Sequence, residues 1–358
     1  MLPDGDRPTD LWIVNGRFSF TPQAGAEELA PAGGFALPGL VDCHAHLTLD
    51  LWGRGLEPGS EALVEANRRD QLAAGVLLLR DVGAIGGATL GLPRDDGLPR
   101  LHPAGGFLAP PGGYFEFGQF VAANGLAEAA AAQVAAGARW VKIVADWQPI
   151  GPDGNPVGDT VPNFPAGALA TAVAAVHAAG GRVAVHTTGY EGLAMSVAAG
   201  VDSVEHGVAM DEPLLDEMAR RGIAWTPTLT TVQQLADWAT QAGETGRAAW
   251  LNGAHAQVLP MIPRARARGI TVLAGTDALP HGTVAREVAA LQAAGLRPAD
   301  ALASASAAAR AFLGEPGIED GAPADLVLYT LDPRNDPETL ARPALIMLGG
   351  RRVNGANG

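Results

Sequence analysis

PGLVDCHAH, residues 38–46, is a short apolar run that ends in two histidines one residue apart. Alternate side chains of an extended chain share a face, so the run predicts a strand presenting His44 and His46 together. The pattern recurs. Lys142 lies in RWVKIV, His186 in VAVHTTG, His206 in SVEHG and Asp277 in TVLAGTD, each at or near the end of its own apolar run. Imidazole and carboxylate groups at the ends of different strands are the donors of a hydrolytic metal site, here enough for two divalent ions.

Working outward, similar runs predict strands at 39–44, 76–80, 98–103, 139–144, 182–186, 202–206, 223–228 and 270–275. Ala/Leu-rich stretches between them predict helices at 60–74, 125–137, 166–179, 190–199, 212–221 and within 231–268. Two more are expected at 283–294 and 298–313, and residues 84–97 read as loop. This alternation predicts an α/β chain with a closed parallel (β/α)8 TIM barrel over residues 39–315. An open doubly wound sheet is the alternative, but the G-x-G-x-x-G turn that would favour it after the first strand is missing.

The ends break the rhythm. DLWIVNGRFSF, ADLVLYT, ALIMLGG and RRV read as antiparallel strands. Residues 1–38 and 316–358 are expected to meet in a small β-sandwich-like domain built from both termini.

Composition narrows the function. Of 358 residues, 47% are hydrophobic, enough for a large core. The net charge of −14 argues against nucleic acid as a partner, because no basic stripe is present to neutralise phosphates. No segment reads as a membrane span, and the N-terminal stretch has no apolar core of a signal peptide. Cys43 is the only cysteine, so no intrachain disulfide forms. A cytoplasmic protein acting on a small molecule is expected, and a homo-oligomer is left open.

Lys142 is the most diagnostic residue. It alternates with Trp140 and Val144, so in a central barrel strand it would be surrounded by core, where an ammonium is costly. One reading is a lysine whose amine reaches the barrel mouth and pairs with a carboxylate. The other is an amine that has captured CO2 as a carbamate, an anionic ligand able to bridge two cations. Asp277 can bind a metal and accept a proton; as a helix N-cap it would lie six residues before the helix expected near Thr283. Glu205 should point away from His206 and support the site. His281, Tyr190, Tyr114 and His102 are placed in or near loops where they could contact substrate. His177 and His255 read as packed and surface residues, and Cys43 as a core residue facing away from the two histidines.

These segments together resemble the amidohydrolase superfamily, in its imidazolonepropionase-like and Xaa-Pro-dipeptidase-like branch. The resemblance rests on LPGLVDCHAHL, LLLRDVG, GARWVKIV, GRVAVHTTG, AGVDSVEHG, TPTL, LAGTDALPHG, GIEDGAPADLVLYTLDP and GGRRV. It implies that His44, His46 and Asp277 bind one metal and His186 and His206 a second, zinc in both cases. Carboxylated Lys142 and a hydroxide would bridge them. It also implies hydrolysis of an amide bond in a dipeptide, N-acyl amino acid or cyclic amide, with Asp277 as general acid and base. A lactonase or phosphoesterase could use the same machinery; a one-metal deaminase would need no bridging lysine, and a non-catalytic scaffold would have lost ligands. Two departures bear on substrate choice: VADW follows Lys142 where relatives have a small-residue turn, and Tyr114 stands in GGYF where many have a histidine.

Overall fold

The computed structural model describes residues 9–29, 33–50, 55–153, 155–277 and 280–353. Strand β1 (Trp12–Val14) turns through Asn15-Gly16 into β2 (Arg17–Ser19). Both turn residues have positive φ, 52° and 78°, which a two-residue hairpin requires. Strand β3 (Phe35–Pro38) leads into β4 (Leu40–Ala45), followed by α1 (Glu61–Ala73), β5 (Val76–Asp81), β6 (Arg100–Ala109) and the short β7 (Gln119–Phe120). Next come α2 (Leu126–Ala135) and β8 (Trp140–Val144), then β9 (Asp146–Trp147), which pairs antiparallel with β10 (Val161–Pro162). The series continues with α3 (Ala166–Ala178), β11 (Arg182–Thr187), α4 (Tyr190–Ala199), β12 (Ser203–His206), α5 (Glu212–Arg221) and β13 (Ala224–Thr226). Helices α6 (Leu229–Gln241), α7 (Thr245–Val258) and α8 (Met261–Ala267) fill the long connection, and α9 (Val284–Ala293), α10 (Pro298–Ser304) and α11 (Ala307–Leu313) follow. Strands β14 (Leu326–Tyr329), β15 (Leu345–Leu348) and β16 (Arg351–Arg352) come last.

Seven parallel strands lie in the order β13, β12, β11, β8, β6, β5, β4. The eighth expected strand is irregular, making one parallel bridge from Val272 to Trp225. It still closes the barrel. Leu273 N donates to Trp225 O and Trp225 N to Thr271 O on one side; Cys43 N donates to Ala274 O and Asp277 N to His44 O on the other. A Cβ on Gly275 would stand 2.5 Å from Thr226 Cγ2 and 2.6 Å from His44 Cβ, so only glycine lets this stretch approach so closely. The fold is therefore a (β/α)8-type barrel.

Val41, Cys43, Leu78, Trp140, Ala184, Ala224 and Leu273 fill the barrel interior, and a larger apolar layer separates strands from helices. Burying each large side chain stabilises the fold by about 1.5–3 kcal/mol. Two register breaks shape the mouth. One lies in β4, between Asp42 and Ala45, beside His44, and Cys43 there is buried in the interior cluster, the core residue it was expected to be. The other, in β6, lies between Ala104 and Phe107 and sets Phe107 beside Lys142.

Strands β16, β15, β14 and β3 form an antiparallel sheet from both ends of the chain. The β1–β2 hairpin packs Phe18 and Ile13 against its Leu326, Leu345 and Met347. Arg100 of β6 and Asp325 pair in the seam to the barrel, and Arg310 donates to Gly39 O there. Among the described residues no helix is long and apolar enough to cross a membrane.

Candidate metal centre

The six expected ligands converge at the C-terminal end of the barrel. His44 and His46 come from the end of β4, Lys142 from β8, His186 from β11, His206 from the end of β12 and Asp277 from the closing stretch. His44 Nδ1 donates to Glu205 Oε2 at 2.8 Å, and His46 Nδ1 donates to Gly83 O at 3.0 Å. Glu205 in turn accepts from the Arg80 guanidinium, with two contacts of 2.9 Å. Both acceptors lack protons, so the tautomer of each ring is fixed and both Nε2 atoms carry lone pairs. Those two atoms nevertheless lie 3.2 Å apart. Asp277 Oδ1 stands 3.3 Å from His46 Nε2 and 3.6 Å from His44 Nε2. Two imidazole lone pairs this close repel unless a proton or cation sits between them, and Asp277, once ionised, adds a third ligand atom, so this donor set fits a metal ion.

The neighbouring group fits a second. The His186 and His206 rings lie 4.6 Å apart, and His206 Nδ1 hydrogen-bonds Thr228 Oγ1 at 2.7 Å while standing 3.9 Å from Asp277 Oδ2. His44, His206 and Asp277 offer ligand atoms within 4.8 Å of one another. The His186 Nε2 and Lys142 Nζ atoms are buried without hydrogen-bond partners. Lys142 is the only lysine in the chain. Burial pushes its ammonium down to about 8, against the pull of Glu205 and Asp277. Burial, then the nearby Lys142 charge, holds His46 and His186 near 3. His44 and His206 are also well below the usual histidine range, chiefly by burial. Four neutral imidazoles are in the form that binds metals. Burial raises Asp277 to about 7.

Backbone strain marks the same place. His206, Thr228 and Asp277 have φ of 62°, 50° and 47°, conformations that non-glycine residues adopt at a cost of about 1–3 kcal/mol each. Each strained residue is an expected ligand or hydrogen-bonds to one.

Several supporting residues went unnoticed in the sequence. Asp42 accepts from His44 N, Thr276 N, Thr276 Oγ1 and Gln71 Nε2, tying β4 to the closing stretch before Asp277. Arg80 also donates to Cys43 O and Thr226 Oγ1. Glu287 accepts from the backbone N–H groups of Leu229 and Thr230, fixing the start of α6 beside Thr228. Asp42 and Arg80 each interrupt an apolar run, and that interruption was the available signal.

The suggested substrate contacts scatter. Tyr114 is at the site, its ring 5.9 Å from His186. His281 Nδ1 lies 3.3 Å from Gln71 Nε2, in the network behind His44. Tyr190 is half-exposed and lines a separate hollow of about 510 Å³ with Gln148, Thr160 and Trp250. His102 is not brought to the others. Strand β6 runs on to Ala109, so His102 stands near its start, bound to Glu315 at 2.7 Å.

A parallel barrel with histidines, one buried lysine and an aspartate at its C-terminal mouth is the architecture of a hydrolytic barrel enzyme. The chain belongs to the amidohydrolase family, whose sequence model matches residues 119–353. It is 38% identical over 356 residues to an uncharacterized protein of Mycobacterium tuberculosis, covering 98% of this chain and 93% of that one. A solved Xaa-Pro dipeptidase with bound methionine is similar with a TM-score of 0.79 and 24% identity, over 90% of this chain and 87% of that one. Aspergillus niger ochratoxinase superposes with a TM-score of 0.76 and 21% identity, over 90% and 84%. The superfamily expected from the motifs is the one the family match gives, and a Xaa-Pro dipeptidase is among the similar folds.

Proposed function

We propose that this protein is a binuclear, metal-dependent hydrolase that cleaves an amide bond in a small molecule such as a dipeptide, N-acyl amino acid or cyclic amide. The carrying observation is the convergence of ligand atoms: the Nε2 lone pairs of His44 and His46 and the carboxyl group of Asp277. His44, His46 and Asp277 would hold one ion, His186 and His206 the other, and a carbamate on Lys142 would join them. Two zinc ions, when bound, supply a hydroxide at neutral pH and polarise the substrate carbonyl.

The chain's own groups do the rest. Glu205 and Gly83 fix the His44 and His46 rings so that Nε2 faces the centre. Asp42 and Thr228 hold the backbone and ring on either side. Asp277 takes a proton on its carboxylate and returns it to the leaving nitrogen. Lys142 would react as the free amine: its nitrogen bonds to the carbon of CO2 as one C=O π pair moves onto oxygen, the nitrogen then releases one N–H proton to solvent, and an anionic carbamate results. Family membership supports the reaction class, and the dipeptidase and ochratoxinase neighbours suit an amide substrate.

The test uses the single lysine. Protein equilibrated with ¹³C-bicarbonate should show one carbamate resonance by NMR. That signal should vanish in Lys142→Ala together with metal. Elemental analysis of the native protein should return about two ions per chain. One tightly held ion and no carbamate signal would refute the bridged centre.

A further inference from the structure

One side of the mouth is walled by rings. Phe107 lies 5.0 Å from the His46 ring, and Trp147 lies 5.8 Å from His186. Tyr114 links them, 5.4 Å from Phe107 and 5.0 Å from Trp147. Phe117 packs 5.3 Å from Phe107, and Phe115 stacks on Phe117 at 5.4 Å with 24° between planes. Phe107 belongs to β6 itself; the other rings come from two connections, PGGYFEF after β6 and DW after β8.

The wall is only partly covered. Phe107 is buried, Tyr114, Phe117 and Trp147 are half-buried, and Phe115 is 51% exposed. Soluble proteins leave contiguous apolar surface bare mainly where something else covers it. The ring edges and faces sit in tilted and T-shaped contacts, the geometry that accepts another flat ring. Among the described residues the Tyr114 hydroxyl has no hydrogen-bond partner, so nothing polar pulls that ring out of the wall. The carboxylate nearest along the chain, Glu116, is exposed between two of the rings.

We infer that the substrate carries a flat aromatic ring next to the scissile carbonyl, and that Trp147 and Tyr114 receive it. This rests on the metal-dependent reading above, because the wall selects substrate only if the bond is cut at those histidines. Trp147 and Tyr114 then set specificity and take no part in proton transfer. An aliphatic group of equal bulk meets the same surface with poorer contact, since it cannot lie flat against the rings.

The test is calorimetric binding of three hydroxamic acids to zinc-loaded protein: acetohydroxamic, cyclohexanecarbohydroxamic and benzohydroxamic acid. All carry the same metal-chelating head. Benzohydroxamate should bind about 3- to 10-fold more tightly than the cyclohexane analogue, the value of one aromatic contact. Trp147→Ala should erase that preference without weakening acetohydroxamate, and Trp147→Phe should keep it. Tyr114→Leu should reduce it while zinc content, measured on the same samples, stays unchanged. Equal affinity for the two ring compounds, or a preference that survives both Trp147→Ala and Tyr114→Leu, overturns the assignment while leaving the metal centre standing. Failure of all three acids to bind zinc-loaded protein refutes the metal reading itself, and the aromatic subsite with it.

Discussion

The two ends of the barrel treat charge in opposite ways. At the N-terminal end, Arg100 is gripped by Asp325, and Arg182 stacks 4.3 Å from Trp140 and 4.1 Å from Phe312. Glu315 is shared by His102 and Arg94. Burial would raise that carboxyl, yet those two partners hold it at about 2. At the mouth, burial prevails: Asp81 is raised to about 8, Glu287 to about 7 and Asp146 to about 6. Lys142 Nζ, His186 Nε2 and Thr187 Oγ1 are buried there without partners. One end uses its charges to hold the barrel and its sheet together. The other holds carboxyls shifted toward the neutral form and leaves Lys142 and His186 unpaired, which costs stability and leaves those two groups available to a ligand.

The sharpest way to break this comparison is to mutate each end and read both activity and stability. Asp277→Asn keeps the size and one ligand oxygen but cannot accept a proton. It should lose about 10²- to 10⁴-fold in kcat while its unfolding temperature stays near that of the native protein. Near-normal turnover with both ions bound would remove Asp277 from proton transfer. Asp325→Ala should do the reverse. It leaves Arg100 and Arg310 buried without their counter-charge, which costs about 3–5 kcal/mol in denaturant unfolding. The folded fraction should keep its kcat. A folded Asp325→Ala protein with impaired catalysis would show that the ends are not separable.

The same contrast explains what the sequence disclosed. Strand runs such as VLLL and WVKIV are apolar on both faces because helices cover one and barrel packing the other, so the alternation of elements was visible. The ligands were visible because a histidine or lysine inside such a run is conspicuous. The closing stretch was expected as a strand, but its close approach at Gly275 leaves it with a single bridge. The length of β6 was not visible, since PAGG after His102 reads as a break; hence His102 appeared at the wrong end of its strand. Asp42, Thr228 and Glu287 act through contacts with residues 22 to 234 positions away. No local pattern carries that information.

A smaller effect sharpens the comparison within the mouth. Glu205→Gln removes the carboxylate that orients His44 and neutralises Arg80. Loss of such a partner typically weakens metal affinity by about 10- to 100-fold. Competition against a chelator should show that loss, with the carbamate signal of Lys142 retained at saturating zinc. Unchanged zinc affinity would mean that His44 is oriented by packing alone.

The smallest expected effect concerns Asp146, whose carboxylate accepts from Thr188 N at 2.7 Å and Gly189 N at 3.1 Å at the start of α4. Burial raises its pKa from the ordinary 3.8 to about 6, despite those bonds. The folded state therefore prefers the protonated acid. Below the unfolded value both states are protonated, and the fold carries no penalty. As pH rises from about 3.8 to about 6 the unfolded chain has released its proton while the folded one still holds it, and stability falls until both states are ionised. The shift caps this loss near 3 kcal/mol. Relaxation of the Thr188–Gly189 turn around the charge brings the expected value to about 1 kcal/mol. Asp146→Asn cannot ionise, so the difference in unfolding free energy between variant and native protein should move in the variant's favour between pH 4 and 7. At the other end, Glu315→Gln should show the opposite sign, because a carboxyl held near 2 contributes stability that is lost only as pH falls toward that value. If both differences ran in the same direction with pH, the opposition between the two ends of the barrel would not hold.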